Sequence, residues 1–228
     1  MKHIFLTLFV ACFVITSYGQ VENMANAVDT RAVGSLESDK ITLVLEPVNK
    51  NGGKPLMEAL SERKTERKIS SSEIDLYLLG QLLWAANGVN RVEENKKTVP
   101  SARNIQEINV YVFKEDGIWA YKPQEHQLLL IEKSDHRKDV SNLPFVASSA
   151  VVLVMVADYD KMKNFSTEDK IFYSAIDCGY VCQNVYLFAA SENLATVTIG
   201  QVNRDAVAKL LHIKNGKVIV AQPIGYAK

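Results

Sequence analysis

The run AVVLVMVAD at 150–158 carries no polar residue before its final Asp. An apolar stretch of that length, rich in β-branched residues, predicts a strand buried on both faces. Other segments alternate instead. EINVYVF at 107–113 reads as a half-buried strand, Asp116-Gly117 as a hairpin turn, IWAYK as the returning strand, and HQLLLIE at 126–132 as a third. ITLVLEP at 41–47 is a short extended piece ended by Pro47, NGG at 51–53 is a turn, and ATVTIG at 195–200 and KVIVAQPIGY at 217–226 complete the strands.

Helical spacing occupies the segments between. Pro55 opens PLMEALSER at a first position, where its missing N–H costs nothing. Ile74, Leu78, Leu79, Leu82 and Leu83 recur at the helical period until Gly88, which predicts a helix over 72–87 with Ser72 and Asp75 as a capping box. A long helix is predicted from about Thr167 to Glu192, capped by Ser166 or Thr167 and closed by Asn193. Its apolar side holds Ile171, Ala175, Cys178, Val181, Cys182 and Val185, while Tyr173, Tyr180 and Tyr186 suit a core or an interface. Asn203 caps a short helix to Leu211. Strands and helices mix without strict β-α-β alternation, so the fold class expected is α+β.

The N-terminus lies outside this pattern. MKHIFLTLFVACFVITSYGQ has a positive start at Lys2, an apolar run from Ile4 to Ile15 and small residues at Ser17 and Gly19. That is the layout of an export signal over 1–19, and it sets an expectation of a periplasmic protein, with lipid or membrane anchoring as the alternative use of the segment. Residues 20–40 are polar and aperiodic, a tether ahead of one domain at 41–228.

Composition narrows the partners. The 228 residues carry 26 Lys+Arg against 26 Asp+Glu, so nothing in the overall balance points to nucleic acid. After the signal, Cys178 and Cys182 are the remaining thiols, four apart on one predicted helix, where a disulfide is disfavoured. Two buried small residues or a redox pair are the readings available. The scattered histidines predict no metal site. Nucleophile-elbow, P-loop and dinucleotide-fold motifs are absent.

One cluster stands out in this neutral chain. SERKTERKIS places Arg63, Lys64, Arg67 and Lys68 within six positions around Thr65. In an extended segment Arg63, Thr65 and Arg67 project to one side and Lys64 and Lys68 to the other, which is either a solvated charged turn or a cradle for a phosphate.

Five ordered segments decide between these. GGKPLMEALSERKTERKIS, LLWAANGVNR, TVPSARNIQEINVYVF, CGYVCQNVYLFAASENLATVTIG and PIGY resemble, in that order, the segments of the nitroreductase-like FMN proteins. The pair LLWAANGVNR and TVPSA most resembles their azoline-dehydrogenase branch, the SagB/ThcOx type. The resemblance implies a nitroreductase-like fold, with a mixed or antiparallel sheet flanked by helices, and a homodimer with two shared sites. It implies that Arg63, Lys64, Thr65 and Arg67 hold the FMN phosphate and ribityl chain. It implies that Pro100, Ser101, Ala102, Asn104 and Gln106 reach the flavin from the partner subunit, and that Thr198, Ile199 and Gly200 pass the isoalloxazine edge. The activity implied is ping-pong transfer of hydride or electrons between a reduced donor such as NAD(P)H and a small-molecule acceptor. A flavin-binding protein without turnover and an azoline-type dehydrogenase are the alternatives on the same fold. Two departures from the pattern follow: Arg103-Asn104-Ile105-Gln106-Glu107 replaces the branch's G-A-L-Y-P, and the sequence runs only two residues past Tyr226.

Overall fold

The computed structural model describes residues 40–228. The expected export signal at 1–19 and all but the last residue of the expected tether lie outside the described residues.

Nine strands follow in chain order: β1 Thr42–Val44, β2 Val89–Arg91, β3 Lys96–Lys97, β4 Ile108–Lys114, β5 Gly117–Lys122, β6 Gln127–Lys133, β7 Val151–Asp158, β8 Leu194–Thr196 and β9 Gly216–Tyr226. Six α-helices lie between them: α1 Leu56–Glu62, α2 Leu76–Asn87, α3 Arg137–Val140, α4 Pro144–Ala147, α5 Thr167–Ser191 and α6 Arg204–Leu210. Seven strands form one sheet in the order β1-β6-β5-β4-β7-β9-β8, and every neighbouring pair is antiparallel. Strands β2 and β3 make a separate small hairpin.

The continuous apolar run is β7, an interior strand of this sheet between β4 and β9. Its odd residues Val151, Leu153, Met155 and Ala157 pack with Leu79, Leu82 and Leu83 of α2 and with Cys178, Val181 and Val185 of α5. Its even residues Val152, Val154 and Val156 pack on the opposite face with Val140, Val146 and Val207 from α3, α4 and α6. A strand covered on both sides has no polar face, which is why it does not alternate. Burying each Val, Leu or Met side chain contributes about 1.5–3 kcal/mol, so this layer fixes the scaffold.

Three expectations are corrected, the first two by local hydrogen bonding. Helix α2 begins at Leu76 rather than at 72, because the Asp75 carboxylate accepts from Leu78 N at 2.7 Å and is itself the cap. Ser72 instead bonds Ser70, with an Oγ–Oγ distance of 2.8 Å. The strand expected over 195–200 stops at Thr196, leaving one isolated bridge between Ile199 and Ala221. It stops because Thr198 N donates to the Tyr186 hydroxyl at 2.9 Å instead of to a strand. Finally, α5 does not bury Ile171 or Ala175 in its first half; it buries Ser174 and Asp177 and leaves Ile171, Phe172, Ile176 and Tyr180 exposed.

Its cap is as expected: Ser166 Oγ accepts from Asp169 N. Cys178 and Cys182 are buried free thiols. Among the described residues, no helix is long and apolar enough to cross a membrane.

Candidate cofactor site

The basic segment leaves helical geometry at Arg63, whose ψ of 120° is extended. It is then fastened by main-chain bonds to the ends of two strands. Glu66 N donates to Thr196 O at 2.9 Å, Ser70 N to Tyr226 O at 2.8 Å, and Lys228 N to Lys68 O at 3.0 Å. Ile69 and Ala227 form a bridge in the same seam, so the C-terminal Lys228 comes beside the cluster. Gly225 is required here, since a Cβ would fall 2.5 Å from Ser70 O.

Extended backbone sends successive side chains to opposite sides. Arg63 lies over the Tyr186 ring, 5.4 Å from its centroid, and Thr65 Oγ1 is 3.2 Å from the Tyr186 hydroxyl. Lys64 points the other way, 3.9 Å from Glu66. That carboxyl is held below the usual carboxylate range, chiefly by the Lys68 N–H it accepts. Arg67 is exposed. Glu62, the nearest other acid in the chain, is engaged by Lys54 at 2.6 Å, which leaves the Arg63–Arg67 side positive.

Residues 198–200 join the same group. The Tyr186 hydroxyl, near Thr65, accepts from Thr198 N. The Thr198 hydroxyl is buried without a hydrogen-bond partner. Gly200 is exposed with open space where a Cβ would point, and its carbonyl accepts from Arg204 Nη2 at 3.0 Å. Tyr186 thus connects two segments that are 133 positions apart (198 − 65) in the sequence. Sequence reasoning missed this role; the available hint was a polar-tipped aromatic at the C-terminal end of a helix bordering both motifs.

The segment from Pro100 to Gln106 is placed elsewhere. Ala102 N donates to the Asp177 carboxylate at 2.8 Å, and Gln106 N donates to Ser101 Oγ at 2.8 Å. The Gln106 side chain donates to Asn95 O and Asn104 Oδ1, and its carbonyl accepts from Lys161 Nζ at 2.9 Å. Arg103 lies over the Phe165 ring at 4.8 Å. Asp177 and Tyr186 are nine residues apart on α5, about two and a half turns and roughly 13 Å, so they face opposite sides of the helix. One chain therefore brings Arg63, Thr65 and Thr198 together and keeps Pro100, Ser101, Ala102, Asn104 and Gln106 away from them.

Comparison with known proteins bears on the family and the fold. The Nitroreductase family model matches residues 60–226. A protein of Methanocaldococcus jannaschii provisionally assigned as a nitroreductase is 31% identical over 180 residues, covering 75% of this chain and 90% of its own. A crystal structure from Ralstonia eutropha with the same provisional assignment superposes with a TM-score of 0.78 at 32% identity, covering 82% of this chain and 90% of that one. The NADPH:FMN oxidoreductase of Vibrio harveyi, solved with NAD+, shares the fold at a TM-score of 0.55 and 19% identity, over 76% of this chain and 69% of that one. The chain belongs to the nitroreductase family.

Proposed function

We propose that the protein is an FMN-dependent oxidoreductase that works as a homodimer, passing hydride or electrons in a ping-pong cycle from a reduced donor such as NAD(P)H to a small-molecule acceptor. The observation that carries this reading is the Tyr186 junction. It gathers the Arg63 guanidinium, the Thr65 and Tyr186 hydroxyls and the Thr198 N–H that donates to Tyr186, with Arg67 of the same segment exposed.

The residues present suit FMN. A phosphate dianion calls for converging cationic and neutral donors, which Arg63, Thr65 and Arg67 supply. A flavin's polar edge calls for donors with no other partner, and the buried Thr198 hydroxyl has none. The open space at Gly200 admits a planar ring close to the backbone. Bound there, the flavin would supply two-electron chemistry, and this chain would supply binding, orientation and positive charge. No acid–base pair is needed at the junction for that division of labour.

The dimer accounts for the placement of 100–106. Ile171, Phe172, Ile176 and Tyr180 are 46%, 58%, 38% and 44% exposed along α5, with open space at Gly179 between the last two. Pairing α5 with its symmetry mate across this face covers the patch and carries the partner's 100–106 segment from the far side of the helix toward the junction. Export of the chain, proposed on residues 1–19 alone, places the donor outside the cytoplasm. The finer likeness to azoline dehydrogenases rests on LLWAANGVNR and TVPSA and names no substrate.

The test is the visible spectrum of residues 20–228 after incubation with FMN and desalting. Retained oxidised-flavin bands that bleach with NADH or NADPH support the reading; a colourless protein defeats it.

A further inference from the structure

Beneath the 100–106 segment lies a charged group that the flavin reading does not use. Glu107 is fully buried, and neither of its carboxylate oxygens has a hydrogen-bond donor from any other residue. Asp177 of α5, 3% exposed, lies within hydrogen-bonding reach of it. Two buried carboxylates facing each other repel and offer no donor between them. One added proton supplies that donor, halves the buried charge and turns repulsion into a short charge-assisted bond.

The geometry points to a single proton shared by Glu107 and Asp177, and to this acid pair as the latch that positions residues 101–106. With Glu107 donating to one side of the Asp177 carboxylate, the other oxygen stays fixed to accept Ala102 N. That bond matters because the segment is strained: Arg103, Asn104 and Gln106 have φ of 52°, 55° and 56°, left-handed values unusual for residues with a Cβ. Such backbone persists only where surrounding bonds over-determine it. A cavity no larger than one water, lined by Asn87, Lys97, Ser101, Gln106 and Asp177, lies under the loop.

The titratable groups facing Glu107 are Asp177 and Cys178 of α5, Lys97 of β3, and Lys161 after β7. Burial, reinforced by the Asp177 charge, pushes the Glu107 carboxyl up to about 7, against the smaller opposing effects of its own backbone N–H and of Lys161. Burial likewise depresses Lys97, to about 8. Loss of the shared proton as pH rises leaves two negative charges and frees Asp177 to move off Ala102. Glu107 and Asp177 are thus positioning residues; only the consequence for flavin rests on the reading above.

The test uses the flavin-free chain 20–228, so failure to bind FMN leaves it standing. Infrared difference spectra follow the protonated-carboxyl C=O band, and hydrogen exchange with mass spectrometry follows the amides of 101–106, corrected for intrinsic rates. In the wild type the band titrates near pH 7, and loop protection falls about tenfold across the same range, the effect of losing one charge-assisted bond. Glu107→Gln, whose amide donates to Asp177 at every pH, abolishes the band and keeps the loop protected throughout. Asp177→Ala leaves the loop unprotected at every pH. The proposal is overturned if the band survives Glu107→Gln, or if loop protection in Glu107→Gln still falls across pH 7 as in the wild type.

Discussion

The two segments proposed to hold the flavin are held in opposite ways. Residues 63–68 are extended and unstrained, sewn by main-chain bonds to Thr196, Tyr226 and Lys228, with Arg67 and Thr65 left exposed. Residues 100–106 are strained, bonded largely to themselves and to Asp177, Asn95 and Lys161. A segment meant to meet a ligand of its own chain can leave its side chains free, since the sheet edge fixes the backbone. A segment that reaches across an interface, as proposed for 100–106, has no such edge and depends on side-chain fasteners. The difference teaches where each is fragile: the first through its backbone seam, the second through one buried carboxylate.

The largest effect is expected from breaking the route between them. Ile176→Asp puts a charge twice into the proposed α5 contact, and desolvating it costs several kcal/mol. Sedimentation should show a monomer that no longer retains FMN; an FMN-loaded monomer would refute the shared site.

Next comes Arg63→Ala with Arg67→Ala, which removes two charge-assisted contacts worth about 1.5–3 kcal/mol each. FMN retention should weaken about a hundredfold or more, with the melting temperature of the flavin-free chain unchanged. Wild-type affinity in this variant would return 63–68 to a charged turn.

The pH dependence separates the segments without mutation. Glu107 is raised from 4.5 to about 7, so the folded state holds its proton more tightly than the unfolded chain. Its contribution is greatest below pH 4.5 and is lost as pH rises through about 7. Lys97 is lowered from 10.5 to about 8, so the penalty for its buried charge is relieved as pH rises from about 8 to 10.5. Stability from these two groups therefore falls through neutrality and recovers in mild alkali, and denaturant titration of Glu107→Gln should lose the first limb alone.

Smaller effects sharpen the seam. Gly225→Ala drives a methyl group to 2.5 Å from Ser70 O and should cost about 1–3 kcal/mol in chemical denaturation. Tyr186→Phe removes the acceptor of Thr198 N and should cost about 1 kcal/mol. Chemical denaturation of the flavin-free chain measures that loss.

Much of the scaffold was written in local pattern. The unbroken apolar run named the doubly covered strand β7, alternation named β4 and β5, and the basic cluster with its alternating Arg63, Thr65 and Arg67 marked one wall of the proposed site. These features depend on periodicity and on residue type, which the sequence carries directly. The residues that fasten the site were not visible that way. Tyr186 looked like one more helix aromatic, Asp177 belonged to no motif, and the helical period wrongly placed Ile171 inside. Which face of α5 is covered depends on what the sheet brings against it, and a hydrogen bond from Thr198 or Ala102 to a helix far away in sequence exists only after the chain has closed on itself. By itself the sequence determined the strands, most of the helices and the basic character of the Arg63–Arg67 cluster; only the tertiary structure decided that Tyr186 would join the motifs and that buried Asp177 would hold the third.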